Sequence, residues 1–242
     1  MSDVCVIIGS GPGLGKSLTK KFAQKGFDIA LVSRTEGNSQ KNIDDAKKIN
    51  PEIRIKHFTA DANYPKTLGK VIKQIIKEFG DIDVLIYNVR DKFKAVTPEN
   101  LEIEDLERIF RLEVVSAFTA AKEVLKNMRK AGKGTVFFSS ATAAFRGSAE
   151  YPLYSIGKFG LRALSQSLAK AYGRDGIHFV HVRLDCDLDV PIMRDLYGSR
   201  AKSRNLADPD EIAQSYWLTH LQPRQAWSNE IEFRPFTEKW TI

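Results

Sequence analysis

Cysteine is scarce: only Cys5 and Cys186 occur in 242 residues. Two thiols cannot build a disulfide framework, nor a zinc site by themselves, and their scarcity suits a reducing compartment. Long hydrophobic runs are missing too, and none approaches the ~20 residues of a membrane span. Met1-Ser2-Asp3 runs straight into an apolar segment without a basic leader, and Lys239-Trp240-Thr241-Ile242 carries no readable address, so no signal peptide or targeting tail is expected. A predominance of one charge is lacking as well. Lys and Arg total 37 against 30 Asp and Glu, a net +7. The basic residues are scattered among acids, as in Lys16/Lys20/Lys21/Lys25 and Lys70/Lys73/Lys77, which read as solvated helix faces. No basic stretch is interleaved with aromatics, so a nucleic-acid partner is not expected. These absences lead us to expect a soluble, cytoplasmic protein with no membrane partner.

What is present is an alternation of buried runs and helical patterns from end to end, with no linker, repeat or low-complexity segment. A chain this long can bury well over half of its unfolded surface without metal or disulfide staples. Short apolar runs at 4–8, 29–32, 84–87, 135–138 and 179–182 read as strands, as do an alternating run at 53–59 and a shorter one at 231–233. Between them, Leu14, Leu18 and Phe22 recur at helical spacing until Gly26. Helices are also predicted over 68–79, over 104–129 closed by Gly132, and over 153–172 ending at Gly173. Asp208-Pro209-Asp210-Glu211 combines an N-cap, a proline at the first helical position and first-turn acids, opening a helix through Leu221. Strands buried on both sides and alternating with helices predict a parallel sheet covered on both faces. The expected fold is α/β: a single doubly wound domain spanning residues 1–242.

The turn after the first strand reads Ile8-Gly9-Ser10-Gly11-Pro12-Gly13-Leu14-Gly15. Glycines there permit a tight turn, let backbone N–H groups reach a pyrophosphate and let the helix pack closely on the sheet. The helix N-terminus adds positive dipole for the phosphates. Placed between a buried strand and an amphipathic helix, the motif points to a dinucleotide held by Gly9, Gly11, Gly13, Leu14 and Gly15. NAD sites place an acid at the end of the second strand to accept from the ribose 2′-hydroxyl. Here Val32 is followed by Ser33 and Arg34, a hydroxyl and a guanidinium that suit a 2′-phosphate, so NADP(H) is expected rather than NAD(H). The bland alternative for Arg34 is an ordinary surface charge. Glu36 reads as a solvated loop residue. Asp61, in Asp61-Ala62 after the third strand, either hydrogen-bonds the adenine amino group or caps a turn.

Tyr154-Ser155-Ile156-Gly157-Lys158 sits at the start of the helix after the fifth strand. Residues i and i+4 share a helix face, so phenol and ammonium lie side by side. A nearby cation favours phenolate and makes tyrosine a usable acid or base near neutral pH. Taken alone, the pair is often only a surface pair. Together with Gly9-x-x-x-Gly13-x-Gly15, Ser139-Ser140 after the fifth strand, Gly176-Ile177-His178 and Asp208-Pro209, it resembles the short-chain dehydrogenase/reductase family over almost the whole chain.

The resemblance implies a Rossmann-like fold and an oxidoreductase. Tyr154 would protonate a carbonyl oxygen or take a hydroxyl proton, Lys158 would hold the nicotinamide ribose and depress the phenol pKa, and Ser140 would hydrogen-bond the substrate oxygen. Asn88, in Leu85-Ile86-Tyr87-Asn88-Val89, would stand beside the cofactor, and Tyr151, with no lysine four residues on, would be pocket wall or packing. The chain departs from the family pattern in four places. Ser140 precedes Tyr154 by fourteen positions, one more than usual, and Ala141 holds the usual place. The family's Asn-Ala-Gly ending is Asn88-Val89-Arg90, and its Pro-Gly after the sixth strand is Asp185-Cys186. Glu113, in Glu113-Val114-Val115-Ser116-Ala117-Phe118, aligns with a catalytic asparagine that bends the helix and holds a relay water. Glu113 would hold that water, pair with Lys158, or face solvent. The substrate lid of the family falls at 190–205, where Arg194, Arg200, Lys202 and Arg204 either attract an acidic substrate or form a solvated loop. Two functions are therefore weighed: a carbonyl reductase or alcohol dehydrogenase using NADP(H), and a dinucleotide-binding sensor or scaffold with little turnover. The resemblance also implies a homodimer or homotetramer built on helices 104–129 and 153–172.

Overall fold

The computed structural model describes residues 2–91, 94–199 and 206–238. Its strands are β1 (Val4–Ile8), β2 (Asp28–Ser33), β3 (Ile55–Thr59), β4 (Val84–Tyr87), β5 (Gly134–Ala141), β6 (Ile177–Leu184) and β7 (Glu230–Phe233). Its helices are α1 (Leu14–Gln24), α2 (Glu36–Ile49), α3 (Pro65–Phe79), α4 (Ile103–Phe110), α5 (Ser116–Ala131), α6 (Pro152–Tyr172), α7 (Pro191–Tyr197) and α8 (Pro209–His220). The strands form one parallel sheet in the order β3-β2-β1-β4-β5-β6-β7. This is the doubly wound, Rossmann-like arrangement expected from the alternation of buried runs and helices.

Strand alternation divides the core into two layers. Val4, Val6 and Ile8 of β1 point to one face, where Leu68 and Ile72 of α3, Ala120 and Val124 of α5 and Leu161 of α6 cover them. Cys5 and Ile7 point to the other, against Leu14, Leu18 and Phe22 of α1 and Ile212 and Tyr216 of α8. Asp208 caps α8 as its sequence anticipates, its carboxylate accepting from the Asp210 N–H at 2.8 Å.

The structure corrects four expectations. Glu36 opens α2 rather than lying in a loop, and as a first-turn acid it complements the helix dipole. The helix expected over 104–129 is interrupted by a π turn, Arg111–Val115, between α4 and α5. The Tyr87 hydroxyl donates to the Leu112 carbonyl at 2.5 Å within this turn, taking up an acceptor there. Ser139 and Ser140 lie inside β5 rather than beyond it, because pairing with β6 continues through Ser140↔Arg183 and Ala141↔Leu184. In the expected lid, residues 191–197 form α7, and Arg194 is paired with Asp189 through contacts of 2.5 and 2.7 Å instead of standing ready for an acidic substrate. Arg200, Lys202 and Arg204 lie outside the described residues, as does the 239–242 tail.

Phe22 is fully buried and meets Phe27 and Trp217 edge-on at ring-centroid separations of 5.2 and 5.8 Å. Phe22→Ala removes the ring that fastens α1 to α8. We expect a loss of about 3–5 kcal/mol of stability, read by urea unfolding, with the secondary structure of the folded fraction unchanged.

Candidate active site

A parallel sheet presents its ligand crevice at the carboxyl ends of its strands, where the strand order reverses. Here the reversal falls between β1 and β4. A cavity of about 1220 Å³ opens there, walled by the β1–α1 turn, the ends of β2, β4, β5 and β6, and α7.

The β1–α1 turn is held by close backbone approach. Gly9 has φ +92°, and a Cβ there would fall 2.3 Å from the Asn88 carbonyl oxygen. A Cβ on Gly15 would fall 2.6 Å from the Gly9 carbonyl oxygen, so the first turn of α1 requires glycine. Gly11 has open space around it, and Gly13 faces Val190. The Asn88 amide donates to the Gly9 carbonyl at 3.1 Å, which ties the end of β4 to the turn. Two further residues fasten it from α2, and sequence reasoning passed over both. Buried Asn42 donates to the Ser10 carbonyl at 2.9 Å, and buried Ser39 shares a hydrogen bond with the Ser10 hydroxyl at 3.0 Å. Ser39, Asn42, Ile43 and Ala46 stand at i, i+3, i+4 and i+7, a helical period that two polar members conceal.

At the end of β2 the Ser33 hydroxyl donates to the Thr35 carbonyl at 2.8 Å and lies within 3.0 Å of both Ser39 Oγ and His57 Nε2. Its proton is thus engaged, whereas exposed Arg34 lines the cavity and forms no ion pair among the described residues. Burial holds the His57 imidazole below its usual range. Asp61 lines the cavity as well. Its carboxylate accepts from the Asn63 backbone N–H at 2.9 Å and the Asn63 amide at 3.0 Å, the geometry of a turn cap. Ala62 and Leu14 complete this wall, the Ala62 carbonyl accepting from Ser116 Oγ at 2.5 Å.

Farther along the cavity, β5 and α6 bring Ser140, Tyr154 and Lys158 to one wall. Neighbouring Ser139 and Ser140 point to opposite sides of the sheet. Ser139 Oγ is 2.8 Å from the Tyr216 hydroxyl in the α1–α8 layer, whereas Ser140 Oγ is buried with no hydrogen-bond partner among the described residues. A buried hydroxyl left unpaired is costly, and this one belongs to a cavity wall. Tyr151, by contrast, takes the N-cap position of α6, its N–H donating to Ser148 Oγ at 3.0 Å, and is not among the cavity-lining residues.

Glu113 does not face solvent. It is 0% exposed, and its Oε2 lies 2.9 Å from the Lys158 Nζ, itself 2% exposed. The ammonium also meets the carbonyls of Ser139 at 3.3 Å and Val89 at 3.4 Å, three acceptors for three protons. Burial raises the Glu113 pKa and Lys158 opposes it. Lys158 Nζ lies 5.7 Å from the centre of the Tyr154 ring. Burial, and then the Glu113 carboxylate, push the Tyr154 phenol well above its ordinary value; Arg90 acts in the opposite sense and Asp187 reinforces the rise. Asp185 is tied to Thr142 and Arg234, and the Cys186 thiol on the cavity wall is pushed up to about 12, chiefly by burial. Among the described residues no group of acids, histidines and cysteines is arranged to hold a metal, and no helix is long and apolar enough to cross a membrane.

The chain matches the family model described as short chain dehydrogenase over residues 3–186. It is 26% identical over 227 residues to a glucose and ribitol dehydrogenase of Daucus carota, covering 88% of this chain and 77% of that one. It is 25% identical over 231 residues to NADPH-dependent aldehyde reductase 1, chloroplastic, of Arabidopsis thaliana, again covering 88% and 77%. Among solved structures it superposes on L-sorbose reductase from Gluconobacter frateurii, complexed with NADPH and L-sorbose, with a TM-score of 0.85 at 20% identity, covering 97% of this chain and 95% of that one.

Gly157 is what lets the buried pair form. A Cβ at this position would stand 2.8 Å from Glu113 Cγ and 3.1 Å from Ile109 Cγ1. Gly157→Ala should therefore displace Glu113 from Lys158 and cost about 1–3 kcal/mol, measured by chemical unfolding, although alanine is the better helix former. An unchanged or raised midpoint would show that the π turn yields without strain.

Proposed function

Because the chain belongs to the short-chain dehydrogenase family of oxidoreductases, we propose that it is an NADP(H)-dependent enzyme interconverting a small carbonyl compound and its alcohol, with cofactor and substrate sites in one domain. The observation that carries this reading is the convergence of Tyr154, Lys158 and the Ser140 hydroxyl, unpartnered among the described residues, on a cavity continuous with the glycine turn. The residues present fit a dinucleotide: the Gly9 and Gly15 cradle leaves no room for a Cβ and keeps backbone at the N-terminus of α1. In this reading Gly9, Gly11, Gly13, Leu14 and Gly15 hold the pyrophosphate region. Asp61, Ala62 and Asn88 line the adenine and ribose path, and Arg34 beside Ser33 takes the 2′-phosphate. NADP(H) is favoured by the absence of a carboxylate at the end of β2 and by the NADPH in the names of the reductases from Arabidopsis and Gluconobacter.

When bound, the nicotinamide supplies or accepts the hydride. Ser140 Oγ donates a hydrogen bond to the carbonyl oxygen and aligns it with Tyr154. The Tyr154 O–H bond breaks as its proton passes to that oxygen, leaving phenolate. In the oxidative direction the phenolate takes the hydroxyl proton. Lys158 holds the ribose from the α6 side, and Glu113 holds Lys158.

We also propose a homodimer or homotetramer assembled through α4, α5 and α6. These adjacent helices expose Ile103, Phe110, Phe118, Ile156 and Phe159 to water. One observation favours a second reading, a dinucleotide-binding sensor with little turnover: the Lys158 ammonium is already surrounded by Glu113 and two carbonyls.

Turnover of NADPH with a panel of aldehydes, ketones and diketones separates the two readings. Tyr154→Phe should lower kcat by about two to four orders of magnitude while fluorescence titration shows NADPH binding nearly unchanged, because the ring remains and only the hydroxyl is lost. Full activity in that variant would exclude Tyr154 as the acid. Arg34→Asp should weaken NADPH binding by about ten- to a hundredfold and spare NADH, since one charge-assisted contact to the 2′-phosphate is lost. Equal loss for both cofactors would count against NADP(H).

A further inference from the structure

The end of β2 is the corner where a dinucleotide site tells its two cofactors apart. NAD(H) brings a ribose 2′-hydroxyl, whose proton needs an acceptor, whereas NADP(H) brings a 2′-phosphate, which needs donors. What this corner offers depends on the Ser33 hydroxyl, and each of its hydrogen bonds has a direction that can be worked out.

A hydroxyl has one proton and two lone pairs. The Ser33 proton goes to the Thr35 carbonyl at 2.8 Å, because a carbonyl can only accept. Ser39 Oγ at 3.0 Å and His57 Nε2 at 2.9 Å therefore both donate to Ser33 Oγ. The order runs back into the glycine turn: with the Ser39 proton spent on Ser33, the Ser10 hydroxyl donates to Ser39 at 3.0 Å. One backbone carbonyl thus directs the whole chain, and it fixes the His57 tautomer, since Nε2 must carry a proton. Burial holds the imidazole below its usual range, with Glu36 and the Ser33 backbone acting in the opposite sense.

The sheet places His57 for this contact. It stands opposite Leu31 in the β2–β3 ladder, and Leu31 and Ser33 share a face of β2, so the imidazole reaches the serine diagonally across the two strands. Other acceptors near this corner are engaged or lie outside the cavity. The Thr35 carbonyl already accepts from Ser33, the Asp61 carboxylate accepts from Asn63, and Glu36, exposed at the start of α2, does not line the cavity. Exposed Arg34 does line it, and a guanidinium only donates.

Taking the NADP(H) reading of this site, we infer that His57 is a positioning residue for cofactor choice: its Nε2–H and the Ser39 hydroxyl fill both acceptor positions of Ser33, so the corner withholds from a ribose 2′-hydroxyl the acceptor it needs. Arg34 attracts one cofactor, and His57, acting through Ser33, disfavours the other.

The test is fluorescence titration of NADPH and NADH, which needs no turnover. His57→Leu removes the donor and opens one lone pair of Ser33. NADH binding should then tighten relative to NADPH, and the preference for NADPH should fall by about two- to tenfold, the worth of one neutral hydrogen bond. His57→Gln, whose amide can donate to Ser33, should keep most of the preference. In a Ser33→Ala background, His57→Leu should not change the preference, because its oxygen target is gone. A second readout uses the unmodified protein without cofactor. Long-range 1H–15N NMR spectra at about pH 8, above the histidine range, should show His57 as the Nε2–H tautomer, its signals assigned by their loss in His57→Gln.

The Nδ1–H tautomer would overturn the inference. So would an unmoved preference in His57→Leu, equal losses in the Leu and Gln variants, or a further loss on adding His57→Leu to Ser33→Ala. Failure here is distinct from failure of the NADP(H) reading. An unmodified protein that prefers NADH removes that reading, whereas a preference for NADPH that persists in His57→Leu removes only the role of His57.

Discussion

A parallel sheet buried on both faces leaves only its strand ends open to water, and the position of the cavity follows from that constraint. The helices that cover β1, β4 and β5 must part where the strand order reverses, because α1 returns toward β2 on one side and α5 and α6 cover the other. The gap becomes the cavity. Backbone groups at its floor are held partly by β2, the Gly9 N–H donating to the Val32 carbonyl at 2.8 Å, and partly by side chains: the Asn88 amide on Gly9, Asn42 on Ser10, and the Ser10–Ser39 hydroxyl pair. Polar side chains on α2 and after β4 thereby shape a glycine turn whose own residues contribute almost nothing but space.

The second constraint is electrostatic. Lys158 and Glu113 are both withdrawn from water, and an isolated buried charge of either sign is strongly disfavoured. Each makes the other tolerable. The π turn carries Glu113 toward α6, and Gly157 leaves the room it needs. Lys158 is engaged by a carboxylate, and the Tyr154 phenol beside it is raised chiefly by burial and then by Glu113, with Arg90 acting in the opposite sense.

Much of the architecture was legible from patterning. The strands were found because runs such as Val4–Ile8 and Val84–Tyr87 are apolar on both faces, and α8 because its cap, proline and acids are local signals. Helix α2 escaped notice because Ser39 and Asn42 occupy its buried stripe, where an apolar period was sought. The interruption of the long helix, which only the family resemblance had implied at Glu113, was hidden from local patterning. The residues of the π turn, Arg-Leu-Glu-Val-Val, have no breaker among them, and the Tyr87 hydroxyl that bonds within the turn comes from β4.

The sequence by itself determined the sheet, its parallel sense, the glycine turn and the side-by-side placement of Tyr154 and Lys158, because periodicity, capping and i,i+4 spacing are properties of short segments. Its resemblance to the family also led to the expectation of Glu113 where the family pattern carries an asparagine. Only the tertiary structure showed where each serine hydroxyl lies, Ser139 Oγ against the Tyr216 hydroxyl and Ser140 Oγ buried with no partner among the described residues, since the two side chains are chemically identical and differ only in which sheet face receives them. It likewise decided the partner of Glu113 and the paired state of Arg194. Both depend on bringing segments together through space at atomic separations, where Coulomb and desolvation energies change steeply with distance and burial, and no local pattern records those distances.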